Sequence, residues 1–112
     1  MLKLKLWLDD ERNPQEPFIQ KEFGSHGDEI WVKTANEAIE LLKQGNVESI
    51  SLDHDLGHPI NGTGQDVANF IEEQAFSDKI PKLSWRIHSM NIVGKENMEK
   101  SLKKADKFWK YQ

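Results

Sequence analysis

Short apolar runs alternate with longer amphipathic segments along this chain of 112 residues. The runs predict buried strands at residues 3–8, 29–33, 49–52 and 82–88. The segments carry apolar residues three and four positions apart and predict helices at residues 34–45, 64–75 and 95–109. Strands that alternate with helices predict an α/β fold, in which helices cover both faces of a small parallel sheet.

The segment between the first two predicted strands breaks the alternation, because residues 13–28 contain two prolines and two glycines. A crossover between parallel strands needs about a dozen residues or more, so we expect a short helix at Pro17–Phe23 inside a loop. Right-handed crossovers then favour about four strands in the order 2-1-3-4. That order makes the first and third strands neighbours, within a single domain spanning residues 1–112.

Composition excludes several classes of protein. The chain has no cysteine, which rules out disulfides, thiolate metal sites and a cysteine nucleophile. No apolar run approaches the roughly 20 residues that span a bilayer. The start of the chain is too short and too alternating for a signal peptide, so we expect a cytoplasmic location and no membrane contact. A net charge of −4 and a pI near 5.5 argue against a strong general nucleic-acid-binding surface.

Two of the predicted strands end in pairs of acids. Asp9 and Asp10 follow the first strand, and Asp53 and Asp55 follow the third. Ligands of open α/β sheets bind at the carboxyl ends of the strands, where these carboxylates would repel one another unless a cation neutralised them. We therefore predict a Mg²⁺ (or Mn²⁺) site with Asp9, Asp10 and Asp53 as ligands. Asp55 is either a fourth ligand or a supporting group, and the competing interpretation is that Asp10 and Asp55 only cap turns.

Two histidines are candidates for proton transfer in the same crevice. His54 lies between two acids, and a carboxylate can orient the ring for general acid–base work. Its position is equally compatible with an exposed histidine in a turn. His88 ends the fourth strand, where we expect it to face the acidic crevice as an acid, a base or a ligand. With Asp55, these two histidines form the predicted catalytic set.

The start of the last predicted helix offers groups that bind anions. The candidate phosphate-binding residues are Ser89, Asn91, Gly94 and Lys95, together with Thr63 in a glycine-bearing loop and Arg12 after the first acid pair. Ser89 and Asn91 are equally well explained by turn formation and helix capping. Thr63 is better explained as a helix cap than as a ligand.

Taken together, four motifs resemble the cyclic-phosphate-processing receiver domains, which are small relatives of response-regulator receivers. The motifs lie at residues 7–12, 51–57, 62–67 and 88–98, in the family's order. The resemblance implies a receiver-like, flavodoxin-type fold and a role in processing cyclic phosphates of nucleotides or RNA ends, in a context such as RNA repair. It also matches Asp9, Asp10 and Asp53 to the receiver's metal-binding and phospho-acceptor acids, and Ser89 to the hydroxyl that ends the receiver's fourth strand.

The chain departs from ordinary receivers in two ways. It has no room for the fifth strand that carries the receiver's lysine, and it adds His54, Asp55 and His88. The loss weakens the case for phosphotransfer, and the additions favour hydrolysis. The leading hypothesis is a metal-dependent phosphoesterase in which His88 and His54 handle protons. The alternatives are a non-catalytic module that binds a phosphorylated ligand or partner, and a receiver that is phosphorylated on Asp53.

Overall fold

A computed structural model describes residues 2–111 of the chain. The strands are β1 (Leu4–Leu8), β2 (Ile30–Val32), β3 (Val47–Leu52) and β4 (Ser84–Ile87). The helices are α1 (Pro17–Phe23), α2 (Ala35–Lys43), α3 (Gly64–Phe76) and α4 (Ile92–Lys110), with a short 3₁₀ turn at Pro59–Asn61. Within the described residues no helix is long and apolar enough to cross a membrane.

The four strands form one parallel sheet in the order β2-β1-β3-β4. This confirms the predicted fold and strand order. Leu8 at the end of β1 pairs with Val32 on one side and with Leu52 on the other. Because the strands end level with one another, the residues that follow β1 and β3 meet at the same edge of the sheet. The acid pairs are therefore brought together by the register.

The two faces of the sheet are covered unequally. The helices α2, α3 and α4 pack on one face, where the buried core includes Leu6, Leu8, Ile50 and Leu52. Within residues 2–111 the other face is covered only by the seven-residue α1 and its loop, whose end is bonded to Arg86 of β4. The side chains there are largely polar, and they comprise Lys5, Trp7, Ser49, Ser51, Ser84 and Arg86. A sheet with this asymmetry places a polar surface directly behind the acid-bearing edge.

Most boundaries differ from the predicted ones by one to three residues, and two of these differences have a clear cause. β3 begins at Val47, two residues before the predicted start, because Val47 pairs with Leu4 of β1 across an irregularity at Glu48. α4 begins at Ile92 and not at Lys95, because Asn91 caps the helix: its Oδ1 accepts the N–H of Gly94 at 2.9 Å. Lys95 is consequently the fourth residue of α4. The short helix α1 has the predicted bounds, Pro17–Phe23.

Candidate metal centre

A tight turn after β1 fixes the first acid. The Oδ1 of Asp9 accepts the backbone N–H groups of Glu11 at 2.9 Å and of Arg12 at 3.0 Å, which is the geometry of a turn closed by an aspartate side chain. Two indole groups hold the same turn from outside. Trp31 donates to the carbonyl of Asp9 at 2.7 Å, and Trp7 donates to the carbonyl of Arg12 at 3.0 Å. The side chain of Asp9 is therefore held rigidly in place.

Asp9 is also the best-satisfied carboxylate of the site. It is 0% exposed, and its Oδ2 accepts from Arg12 Nη1 at 3.1 Å and from His88 Nε2 at 3.1 Å. Burial alone would raise the pKa of Asp9. The hydrogen bonds from His88, Arg12 and Glu11 outweigh burial and lower this pKa to about 2. Asp9 is thus ionised at neutral pH, and its charge is compensated by the protein.

Asp53 occupies the equivalent place after β3 but has fewer partners. Asp53 is 6% exposed. Its Oδ1 accepts the backbone N–H of His54 at 2.8 Å. Its Oδ2 has only a long contact of 3.4 Å to Arg12 Nη1. Burial and the nearby charge of Asp9 raise the pKa of Asp53, against the opposing effects of His54, His88 and Arg12. The fold therefore buries a carboxylate whose charge it compensates incompletely.

Asp10 completes the cluster from the more open side. Asp9, Asp10 and Asp53 each present one carboxylate oxygen, and these three oxygens lie within 4.8 Å of one another. The loop after β3 folds against Asp10 so closely that a Cβ on Gly57 would lie 2.8 Å from its Oδ2. Gly57 has a φ of 81°, which suits glycine. The sequence therefore predicted the right three acids to be neighbours.

Asp10 and Asp53 line an open crevice of about 270 Å³, and the fully buried Asp9 lies behind its wall. This acidic crevice, as we call it, is lined by Asp10, Glu11, Arg12, Asp53, Asp55, Gly57, Met90 and Asn91. Its volume is slightly below the roughly 300 Å³ at which pockets for drug-sized molecules begin. The crevice therefore suits a small group, such as a metal ion with one phosphate, better than a whole nucleotide.

Arg12 lies between the two buried acids, where sequence reasoning did not place it. Its Nη1 contacts Asp9 Oδ2 at 3.1 Å and Asp53 Oδ2 at 3.4 Å, and its guanidinium packs over the ring of Phe23 at 4.3 Å. In this arrangement Arg12 acts as an internal counter-ion through Nη1, and its guanidinium also lines the crevice. The formal charges of the three carboxylates and the one guanidinium sum to −2, and a divalent cation would balance this charge.

His88 lies behind Asp9, and the expectation that it faces the crevice is corrected. It is 7% exposed, and its ring stacks on Trp7 with centroids 3.8 Å apart. Its Nε2 lies 3.1 Å from Asp9, and its Nδ1 lies 2.8 Å from the hydroxyl of Ser51. Because ionised Asp9 only accepts, Nε2 carries a proton, and in the neutral ring Nδ1 accepts from Ser51. Both ring nitrogens are engaged, so His88 orients Asp9.

Ser51 is the residue of this chain of contacts that sequence reasoning missed. It is buried near the carboxyl end of β3, between the core residues Ile50 and Leu52. A hydroxyl at a buried position needs a partner, and the pairing of Ser51 with Arg86 in β4 puts its side chain on the same face as His88. A serine between two apolar residues of a central strand is the sequence signal that could have identified Ser51.

The remaining groups after β3 form a second hydrogen-bonded set at the rim. His54 Nδ1 lies 2.9 Å from Asp55 Oδ1, and Asn91 Nδ2 donates to Asp55 Oδ2 at 3.3 Å. Both hydrogen bonds lower the pKa of Asp55, and the bond from His54 has the larger effect. The ring of His54 lies over Gly94, where a Cβ would come within 2.5 Å of it. Asp55 and Asn91 line the acidic crevice, whereas His54 lies against α4.

The other predicted phosphate-binding groups are not gathered in this crevice. The N–H of Gly94 is already donated to Asn91, and Thr63 forms a capping box with Asp66, with bonds of 3.3 and 2.9 Å in the two directions. Ser89 accepts the N–H of Asn91 at 3.0 Å and, like Lys95, lines a neighbouring groove. The structure thus joins the acids to Asn91 and separates them from Ser89 and Lys95.

Comparisons with known proteins agree with this architecture. The family model described as the cyclic-phosphate processing receiver domain matches residues 4–104. A similar solved structure is the signal receiver domain of a protein described as a Luxo repressor from Vibrio parahaemolyticus. It is 16% identical, with a TM-score of 0.50 over 94% of each chain, and it shows the receiver fold alone. A search of curated proteins gave no match.

Proposed function

Because the chain belongs to the cyclic-phosphate processing receiver domain family, we propose that it is a metal-dependent phosphoesterase. Its substrate is a cyclic phosphate on a nucleotide or at an RNA end, such as the ends handled in RNA repair. The metal is Mg²⁺ or Mn²⁺. The observation that carries the proposal is the buried, incompletely compensated carboxylate of Asp53 within a cluster of three acids at the edge of an open crevice.

The donor set fits a hard cation. Asp9, Asp10 and Asp53 supply carboxylate oxygens, which Mg²⁺ and Mn²⁺ prefer over nitrogen or sulfur. Asp9 is pre-positioned by its turn and by His88, whereas Asp53 keeps an oxygen with only a 3.4 Å contact to Arg12. A bound cation of this kind polarises phosphoryl oxygens and stabilises the charge that develops on them.

Hydrolysis of a cyclic phosphate joins one water to the phosphorus and breaks one of the two ring P–O bonds. The products are a phosphomonoester and a free hydroxyl, so one proton must move from the water to the leaving oxygen. Asp55 lines the crevice as a carboxylate, accepts that proton from the water and returns it to the leaving oxygen, while His54, bonded to Asp55 at 2.9 Å from outside the crevice, orients the carboxylate. His88 keeps Asp9 oriented and takes no part in this proton transfer.

The direct test is turnover. Purified protein is incubated with 2′,3′-cyclic nucleotides at several Mg²⁺ and Mn²⁺ concentrations, and phosphomonoester products are separated by chromatography. We expect metal-dependent product formation that is lost in Asp53→Asn and kept in Lys104→Ala, an exposed change remote from the crevice. Absence of product with every metal, from protein shown to be folded by circular dichroism, contradicts the proposal.

One observation favours a second candidate function, a module that binds a phosphorylated ligand without cleaving it. Arg12 already bridges Asp9 and Asp53, and an internal cation of this kind is able to replace a metal in holding the fold together. Calorimetric titration with 2′,3′-cyclic nucleotides, followed by mass analysis of the recovered ligand, separates the two functions. Recovery of intact ligand after binding supports the module, and recovery of phosphomonoester supports the enzyme.

Phosphorylation of Asp53 is the third candidate, and the fold offers it less support. Within residues 2–111 no strand follows β4, so the lysine that ordinary receivers carry on a fifth strand has no equivalent place. Incubation with acetyl phosphate and Mg²⁺ tests it. A mass gain of one phosphoryl group in the native protein, absent in Asp53→Asn, would establish a phospho-acceptor.

A further inference from the structure

A second groove lies beside the acidic crevice and has the opposite charge. This basic groove, of about 400 Å³, contains the cations Lys21, Arg86 and Lys95 and one acid, Glu22. Met90 lines both the groove and the acidic crevice. Two depressions of opposite charge thus meet at a single side chain.

The walls of the basic groove come from different elements. Lys21 lies in the last turn of α1, and Lys95 lies near the start of α4. Arg86 joins the two sides, because its guanidinium donates to the carbonyls of Phe23 at 2.7 Å and Gly24 at 2.6 Å and so fastens the end of α1 to β4. The groove is therefore a feature of the folded chain and not of one helix.

In the part of the chain that the structure describes, the two lysines of the groove lack acidic partners. Neither Lys21 nor Lys95 forms an ion pair with any acid in the described range 2–111. Lys95 also lies near the positive end of the α4 dipole, which disfavours a cation there. Lys21 lies in the last turn of α1, where the dipole favours a cation, so the two lysines share only the lack of an ion pair. Unpaired cations are well suited to an anion from outside.

We infer that the basic groove binds a second, non-reacting phosphate of the substrate whose cyclic phosphate lies in the acidic crevice. This inference rests on the proposed function and specifies its substrate. A simple cyclic nucleotide has one phosphate and leaves the groove empty. The second phosphate is supplied either by a 5′-phosphate on the same nucleotide or by the next phosphodiester of an oligonucleotide.

The position of Met90 supports a ligand that crosses from one depression to the other. Its side chain is 74% exposed although it is large and apolar. The nucleoside part of such a ligand, which joins the two phosphates, would cover it. The chain's net charge of −4 limits the attraction to this one groove, so a terminus or a short segment is preferred over a long nucleic acid.

The test compares three probes in the presence of Mg²⁺: adenosine 2′,3′-cyclic phosphate, its 5′-phosphorylated form, and a diadenosine dinucleotide ending in the cyclic phosphate. Apparent affinity is taken as KM where a probe is turned over and as Kd by calorimetry where it is not. We expect the 5′-phosphorylated form, the dinucleotide or both to bind about tenfold more tightly than the first probe, with a stronger dependence on salt. Whichever probe shows the gain identifies the source of the second phosphate.

Matched variants locate the effect. Lys21→Ala/Lys95→Ala should abolish the gain and leave the affinity for the first probe unchanged. Lys104→Ala/Lys107→Ala removes the same charge from exposed positions of α4 and should keep the gain, since Lys104 lies about 14 Å along the helix from Lys95. No gain with either larger probe, or a gain that survives the first double variant, overturns the inference. Failure of the proposed function looks different: no probe is turned over, while the difference in affinity remains.

Discussion

The ends of β1 and β3 present the same residue in two different electrostatic states. Asp9 and Asp53 are both buried, follow neighbouring strands and lie beside the same guanidinium. The protein surrounds Asp9 with donors, which lower its pKa to about 2, whereas burial and the charge of Asp9 raise the pKa of Asp53. The donors around Asp9 compensate its charge, whereas the charge of Asp53 is compensated only in part.

This difference assigns separate tasks to the two acids. Asp9 is held by its turn and by His88, so it acts as a fixed wall of the site. Asp53 has an oxygen with one long contact, so a cation gains most by binding there. A cluster in which every acid was fully satisfied would have little need for a metal. The incompletely satisfied acid is therefore the stronger sign of function.

The largest expected effect concerns metal affinity. Asp53→Asn should weaken Mg²⁺ or Mn²⁺ binding by more than about 100-fold, because losing even a group that only supports a ligand costs roughly 10–100-fold. The control is Asp55→Asn, which changes an exposed acid outside the cluster of three and should cost less than about tenfold. Isothermal titration calorimetry measures both. Equal losses in the two variants would remove the distinction between the acids.

The next effect concerns stability without metal. Asp9→Asn should lower the free energy of unfolding by about 3 kcal/mol, because it breaks a buried ionic network. Asp53→Asn should raise it or leave it within about 0.5 kcal/mol, since it removes a charge that the fold compensates poorly. Urea unfolding in a chelating buffer gives both values. A comparable loss in the two variants would contradict the comparison.

A smaller change in the free energy of unfolding is expected for Ser51, the serine bonded to His88. Ser51→Ala should cost about 1–2 kcal/mol of unfolding free energy, because it leaves Nδ1 of buried His88 without its partner. Ser49→Ala, on the same strand and the same face, is the control and should cost less than about 0.5 kcal/mol. Equal effects in thermal and urea unfolding would show that the Ser51 hydroxyl does not orient the ring.

The last effect is the pH dependence of stability in the absence of metal. The lowered pKa of Asp9 gives stability that is present above its unfolded value of 3.8 and is lost as pH falls toward about 2. The raised pKa of Asp53 gives stability that is present below 3.8 and is lost as pH rises through its folded pKa. Against the wild type, the deficit of Asp9→Asn should therefore shrink on acidification, and any advantage of Asp53→Asn should grow as pH rises. Urea titrations between pH 2 and pH 7 test both slopes.

Much of the fold was predictable because it depends on short-range patterns. The spacing of apolar residues located all four strands and the helices, and Asn91 and Thr63 cap helices as their residue types favour. The meeting of Asp9, Asp10 and Asp53 followed from the strand order alone. These features need only the period of each element and the handedness of the crossovers.

The partners of the acids were less predictable, because they depend on where side chains point after packing. His88 was expected to face the crevice, but stacking on Trp7 turns it behind Asp9 and toward Ser51. Arg12 lies between Asp9 and Asp53 because the turn at Asp9 folds it back over the strand ends. Tertiary contacts of this kind leave no periodic signal in a sequence.

The central claim is that Asp53 is the carboxylate that recruits a divalent cation. It is tested most directly by a crystal structure of the protein grown with Mn²⁺, in which anomalous scattering locates the ion. The account predicts Mn²⁺ bonded to an oxygen of Asp53, with the guanidinium of Arg12 displaced from its 3.4 Å contact. The account would be contradicted by crystals grown at saturating Mn²⁺ that show no ion at Asp9, Asp10 and Asp53, with Arg12 still bridging the two buried acids.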